Sequence, residues 1–150
     1  MPTDTALRST PQIRRRLCLL LAVAALQSTC AADWVVVASS QSPLSKLSRE
    51  QVANLYLGQI HELPGSGRIV PVDLAEESPL RQQFYSQVAN KTPVQVRMHW
   101  SKMIFNGKGR PPQEVQNSND MKRLLNANPS SIGYMDRLVV DGTLKVLLIP

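Results

Sequence analysis

The sequence predicts an α/β fold: a mixed central sheet flanked by helices. Three observations point there. Four apolar, partly β-branched runs read as strands: 34–38 (WVVVA), 69–73 (IVPVD), 132–135 (IGYM) and 144–149 (LKVLLI). Four intervening segments place apolar residues at helical spacing behind a good capping residue. The resulting order is β, α, β, α, α, α, β, β, and apolar strands alternating with helices suit a sheet covered by helices.

Each element has a local reason. The run 34–38 is bounded by the polar Ser39, Ser40, Gln41 and Ser42 and by Pro43. Ser48 and Gln51 form a capping box, which opens a helix carrying Val52, Leu55 and Tyr56 on one face, with Gly58 as its C-terminal stop. Residues 61–68 (HELPGSGR) read as a loop. In the strand 69–73, Pro71 cannot donate a ladder hydrogen bond, so it calls for an edge position or a strand end. Ser78 caps the second helix with Pro79 at its first position, and Leu80, Phe84 and Val88 form its stripe. Thr92-Pro93 repeats the device, placing Val96, Trp100 and Met103 or Ile104 on one side. Residues 105–112 (FNGKGRPP) read as a Gly/Pro loop. A fourth helix over 117–128 starts at Asn117 or Ser118, turns Met121, Leu124 and Leu125 inward, and stops before Pro129.

Residues 1–32 read as a secretory signal, leaving one domain over 33–150. Arg14, Arg15 and Arg16 precede the apolar run 17–26, and Cys30-Ala31-Ala32 suits cleavage before Asp33. A membrane anchor is the alternative, but a spanning helix needs about 20 apolar residues. Lipidation at Cys30 is another, although Gln27-Ser28-Thr29 does not match the usual pattern before a lipidated cysteine. The expected location is the periplasm. Both cysteines, Cys18 and Cys30, leave with the signal, so the mature domain has no disulfide. The whole-chain charge is +6, but the first 32 residues hold four basic residues and one acid, so residues 33–150 carry 13 basic against 10 acidic. No basic run with interleaved aromatics marks a nucleic-acid surface.

Strand, turn and helix start at residues 71–85 (PVDLAEESPLRQQFY) make an arrangement that holds anions. Ser78 is the candidate ligand and is also an ordinary N-cap. Arg81 is a candidate positive charge, or a partner for Glu77. Lys108 and Arg110, in the glycine-rich loop, could add charge, although the loop lacks P-loop spacing. Glu76 and Glu77 are adjacent in a loop and so are poorly placed to converge on one reacting atom. His61 and His99 lack partners at metal-ligand spacing, so no metal and no cofactor is expected. No Ser/His/Asp or Cys/His set can be assembled, which argues against an enzyme.

Several stretches, taken in order, resemble one family: Leu44-Ser45-Lys46-Leu47-Ser48 with Gln51 and Leu55-Tyr56-Leu57-Gly58; Ile69-Val70-Pro71-Val72; Ser78 with Phe84; and Asn128-Pro129-Ser130-Ser131-Ile132-Gly133-Tyr134-Met135. Together, over roughly 35–147, they look like the phosphate-binding periplasmic proteins of ABC transporters, and in particular the short substrate-binding-like members. The resemblance implies a single lobe of a type II periplasmic-binding-protein-like fold. Full-length members close two lobes around phosphate, and this chain matches only the second. That lobe's Arg falls on Leu74 and its Gly-Ser-Gly-Thr turn on Glu77-Ser78-Pro79-Leu80, so only Ser78 is retained. The implied function is transport-related and non-enzymatic: weak binding of a small oxyanion, phosphate first, at the Ser78 helix start. The alternative is a periplasmic interaction or sensor module with a degenerate site, acting with an envelope protein or as a homodimer. Neither nucleic acid nor a stable membrane span is expected.

Overall fold

The computed structural model describes residues 34–150; the segment 1–32 read as a signal, with Cys18 and Cys30, lies outside the described residues. The described chain contains strands β1 (Trp34–Ser39), β2 (Glu62–Leu63), β3 (Gly67–Arg68), β4 (Val70–Leu74), β5 (Gln113–Val115), β6 (Ser131–Asp136) and β7 (Leu144–Leu148). Its helices are α1 (Arg49–Tyr56), α2 (Pro79–Ala89), α3 (Pro93–Phe105) and α4 (Ser118–Ala127), with a 3-10 turn at Arg137–Val139. Three strands exceed the expectation. β2 and β3 form a short hairpin inside the segment read as loop, and β5 follows the Gly/Pro loop. At two or three residues each, they are too short to show a periodicity in the sequence.

The main sheet has the order β5-β4-β6-β1-β7. β4 pairs parallel with both β5 and β6, while β1 pairs antiparallel with β6 and β7. The sheet is therefore mixed, with β1 running against the other four strands. Pro71 lies in a central strand, so the edge alternative fails and the strand-end alternative holds. Val70 N–H donates to Ser130 O on the β6 side. Adjacent residues point their N–H groups to opposite sides, so the donor Pro71 lacks would face β5, which begins only opposite Val72.

Residues alternate faces along a strand, and β6 shows both faces covered. Gly133 turns toward α4, where an added Cβ would overlap Met121 Sδ and come within 2.9 Å of Met121 Cγ. Its neighbour Tyr134 stacks on Phe84 of α2, ring centroids 3.8 Å apart. The α2 face holds an aromatic cluster of Trp34, Tyr56, Phe84, Tyr85 and Tyr134, whose other contacts are edge-to-face.

The helix starts form as the sequence implies. Both bonds of the Ser48–Gln51 capping box are present, and Thr92 with Gln95 forms a second. Ser78 accepts from Arg81 N–H, and Asn117 accepts from Asn119 and Asp120 N–H. The stripe of α2 differs from expectation: Arg81, Phe84, Tyr85 and Val88 are buried, and Leu80 is only half-buried. On α3 the ambiguity resolves to Met103, with Ile104 exposed.

Candidate functional site

β4, β5 and β6 run in one direction, so their C-terminal ends lie along one edge of the sheet. The chain leaves β4 into the turn before α2, and leaves β5 directly into α4. The starts of both helices therefore return to that edge, where open α/β sheets place ligands. A cleft of about 510 Å³ lies there, lined among others by Ser78, Leu80, Gln83, Asn117, Ser118 and Asp136. Its chemistry follows from the caps. With Arg81, Asn119 and Asp120 N–H bound by the cap side chains, the N–H groups of Leu80 and Ser118 remain without an acceptor inside their own helices. Two helix starts thus offer backbone donors and partial positive charge to one space. Asp136 opposes them with a carboxylate; its Oδ1 accepts from Leu138 N–H at 2.8 Å. Among the described residues, no lysine or arginine lines the cleft.

Arg81 sits elsewhere. Its guanidinium is buried, with Nε 3.0 Å from Asp73 Oδ2 and Nη2 3.6 Å from Glu114 Oε1, and it lies over the Tyr85 ring. Burial works against its charge, but the Asp73 carboxylate more than offsets that and raises its pKa. Asp73 is 1% exposed and also accepts from Tyr85 OH at 2.8 Å, from Tyr134 OH and from Leu74 N–H. Burial, reinforced by this carboxylate, pushes the Tyr56, Tyr85 and Tyr134 hydroxyls well above the ordinary phenol range. Burial likewise raises the Glu114 carboxyl, with Arg81 opposing it. The network ties the first turn of α2 to β4 and β6. It fixes where the Ser78 helix start points, and it commits the Arg81 guanidinium to carboxylates rather than to the cleft.

The structure therefore separates the four residues singled out by sequence. Ser78 lines the cleft. Arg81 is anchored in the core behind it, and its partners are Asp73 and Glu114, not Glu77. Lys108 is exposed in the loop after α3, where its N–H donates to Met103 O. Arg110 lines a different cavity beside the N-terminal ends of β4 and β5, with Val70, Pro71 and Gln113. The length of β4, roughly 16 Å at 3.3 Å per residue, lies between that cavity and Ser78. Sequence reasoning missed Asn117 and Ser118 as site residues, although it placed the α4 cap on them. It also missed Asp136. Asp136 closes a strand that the sequence displays, whereas Asn117 and Ser118 follow β5, which shows no periodicity in the sequence. Among the described residues, no cluster of three or more His, Cys, Asp or Glu could hold a metal ion, and no helix is long and apolar enough to cross a membrane.

No family model matches the chain, and no curated protein matches it. Solved structures do. An ABC-type phosphate transport receptor from Vibrio cholerae is 22% identical with a TM-score of 0.60, over 77% of this chain and 45% of that one. A putative phosphate ABC transporter substrate-binding protein with bound phosphate, from Clostridium perfringens, is 20% identical with a TM-score of 0.62, over 77% and 44%. PstS from Borrelia burgdorferi is 15% identical with a TM-score of 0.57, over 77% and 46%. The chain spans less than half the length of each. The likeness establishes the fold that the sequence resemblance implied, an α/β unit like part of a phosphate-type substrate-binding protein.

Proposed function

We propose that this chain is an exported, non-enzymatic binding module that takes a small oxyanion, phosphate first, weakly in the cleft between the starts of α2 and α4. The observation that carries the reading is that two capped helix N-termini open onto one cleft at the C-terminal strand edge, in a fold shared with phosphate receptors. Export rests on the signal-like residues 1–32.

Magnitudes set the expected affinity. Each helix start contributes about 0.3–1 kcal/mol toward an anion, up to ~2 in partly buried geometry. Two of them supply at most about 4 kcal/mol, which corresponds to a dissociation constant near 1 mM. Among the described residues no arginine lines the cleft to add a bidentate contact, and Arg81 is held by Asp73 and Glu114. Asp136 repels a fully ionised anion but can accept the proton of hydrogenphosphate, so phosphate is favoured over sulfate. Thermal unfolding with and without phosphate at ~10 mM-scale concentration tests the reading, since only a ligand of the folded state raises Tm. Phosphate should raise it and equimolar sulfate should not.

A second reading is a protein-interaction or sensor module that uses the same edge. The absence of Lys or Arg from the cleft lining favours it, as does Leu138, 91% exposed two residues from Asp136. No phosphate shift, together with a stable complex captured from envelope extract, would favour this reading.

A further inference from the structure

At the opposite end of β4 a second cavity, of about 410 Å³, has a chemistry the first cleft lacks. That volume falls within the roughly 300–1,000 Å³ of small-molecule sites. Its floor is apolar. The Trp100 indole lies against it, bracketed by two glycines: a Cβ on Gly58 would come 2.8 Å from Trp100 Cη2, and one on Gly109 would stand 3.8 Å from Cζ3. Gly58 also adopts φ +66°, so both its backbone and its missing side chain make room for the ring. Ile69, Pro111 and Pro112 complete the floor.

The charged lining residues are all of one kind. Arg68, from the β2–β3 hairpin, and Arg110, from the loop after α3, line the cavity with His61, and no acidic residue does. Glu62 stands opposite Arg68 across the hairpin ladder, yet it forms no ion pair with it. Among the described residues neither Arg68 nor Arg110 has a carboxylate partner. Ile69 N–H donates to His61 O at 2.8 Å, which pins the base of the hairpin beside the cavity. Two planar guanidiniums without carboxylate partners, lining one cavity with an indole and two prolines, suit a carboxylate that carries a flat apolar body.

We propose that this cavity binds a small organic acid, its carboxylate held by Arg68 and Arg110 and its apolar body lying on Trp100. The site is independent of the oxyanion cleft.

The test uses benzoate as the probe and amide and indole resonances as the readout. The sequence has two tryptophans, and Trp34 is fully buried in the core, so its indole signal is an internal control. At the roughly millimolar concentrations expected for so small a ligand, benzoate should shift the Trp100 indole and the Gly58 and Gly109 amides. Trp34 and the Leu80 and Ser118 amides should stay in place. Arg68→Ala with Arg110→Ala, both exposed residues, should weaken binding by about tenfold or more. Lys108→Ala removes a nearby charge that does not line the cavity and should change affinity by less than about twofold. Benzyl alcohol binding as tightly as benzoate would overturn the proposal. So would inorganic phosphate matching benzoate at the same residues, unchanged benzoate affinity in the double variant with its Trp34 signal intact, or no shift at Trp100.

Discussion

Raising the pH should unfold this domain cooperatively, and its tyrosines should report the event directly. All three tyrosines of the sequence, Tyr56, Tyr85 and Tyr134, are buried around Asp73 or beside it, with hydroxyls shifted well above the phenol range by burial. Each holds its proton more tightly in the folded chain than in the unfolded one. Their contribution to stability is therefore fully present below the unfolded value near 10 and is lost as pH rises toward the folded value. One proton per tyrosine is worth about 1.36 kcal/mol per pH unit, so the three together remove about 4 kcal/mol for each unit above 10. A domain of ordinary stability, about 5–15 kcal/mol, cannot withstand that for long, and one in the lower half of the range unfolds within about two and a half units. Tyrosinate absorbance followed alongside far-ultraviolet circular dichroism is the assay. Expected is a single sharp transition in which all three phenols ionise as the helical signal collapses. Phenols that ionise gradually from pH 10 while the dichroism stays native would show that burial does not hold these protons.

Four substitutions probe the rest. Asp73→Ala leaves the buried Arg81 guanidinium without its main partner and should cost about 3–5 kcal/mol in a urea melt, part of it recovered by adding Arg81→Met. Gly133→Ala pushes a methyl group into Met121 and should destabilise by about 1–3 kcal/mol without changing the phosphate response. Ser78→Ala removes the α2 cap, lowering stability by about 1 kcal/mol and weakening phosphate binding as well. Asp136→Asn should bring sulfate closer to phosphate. A hydrogen bond to a charged group is worth about 1.5–3 kcal/mol, so the native preference should be about tenfold or more and should shrink in competition calorimetry.

Local signals gave most of the architecture. Ser48 with Gln51, Ser78 with Pro79, Thr92 with Pro93 and Asn117 each mark a helix start through a hydrogen bond made within four residues, so the sequence displays them. The four long strands were equally visible as apolar runs. β2, β3 and β5 were not, because strands of two or three residues exist only through their pairing partners. The site was half legible. Ser78 and the Asn117 cap were seen separately, but nothing local says that the ends of β4 and β5 bring them to one edge. Arg81 was read as a charge at the helix mouth, and its guanidinium sits against Asp73, which lies eight residues back inside an apolar strand. An aspartate between Val72 and Leu74 is the clue, since a carboxylate in a buried strand needs donors, and here a guanidinium and two phenols supply them. Arg110 lies in a cavity apart from Ser78, and nothing local shows this, because a loop's composition carries no address.

Weak binding of phosphate between two helix starts of a single lobe is tested most directly by a phosphate titration of a proven monomer at low salt, followed by calorimetry and by the Leu80 and Ser118 amide resonances. A dissociation constant of about 1 mM or weaker, with both amides shifting and Ser78→Ala weakening the response, is the expected result. Sub-micromolar binding by the monomer, or saturation that leaves both amides unmoved, would contradict it.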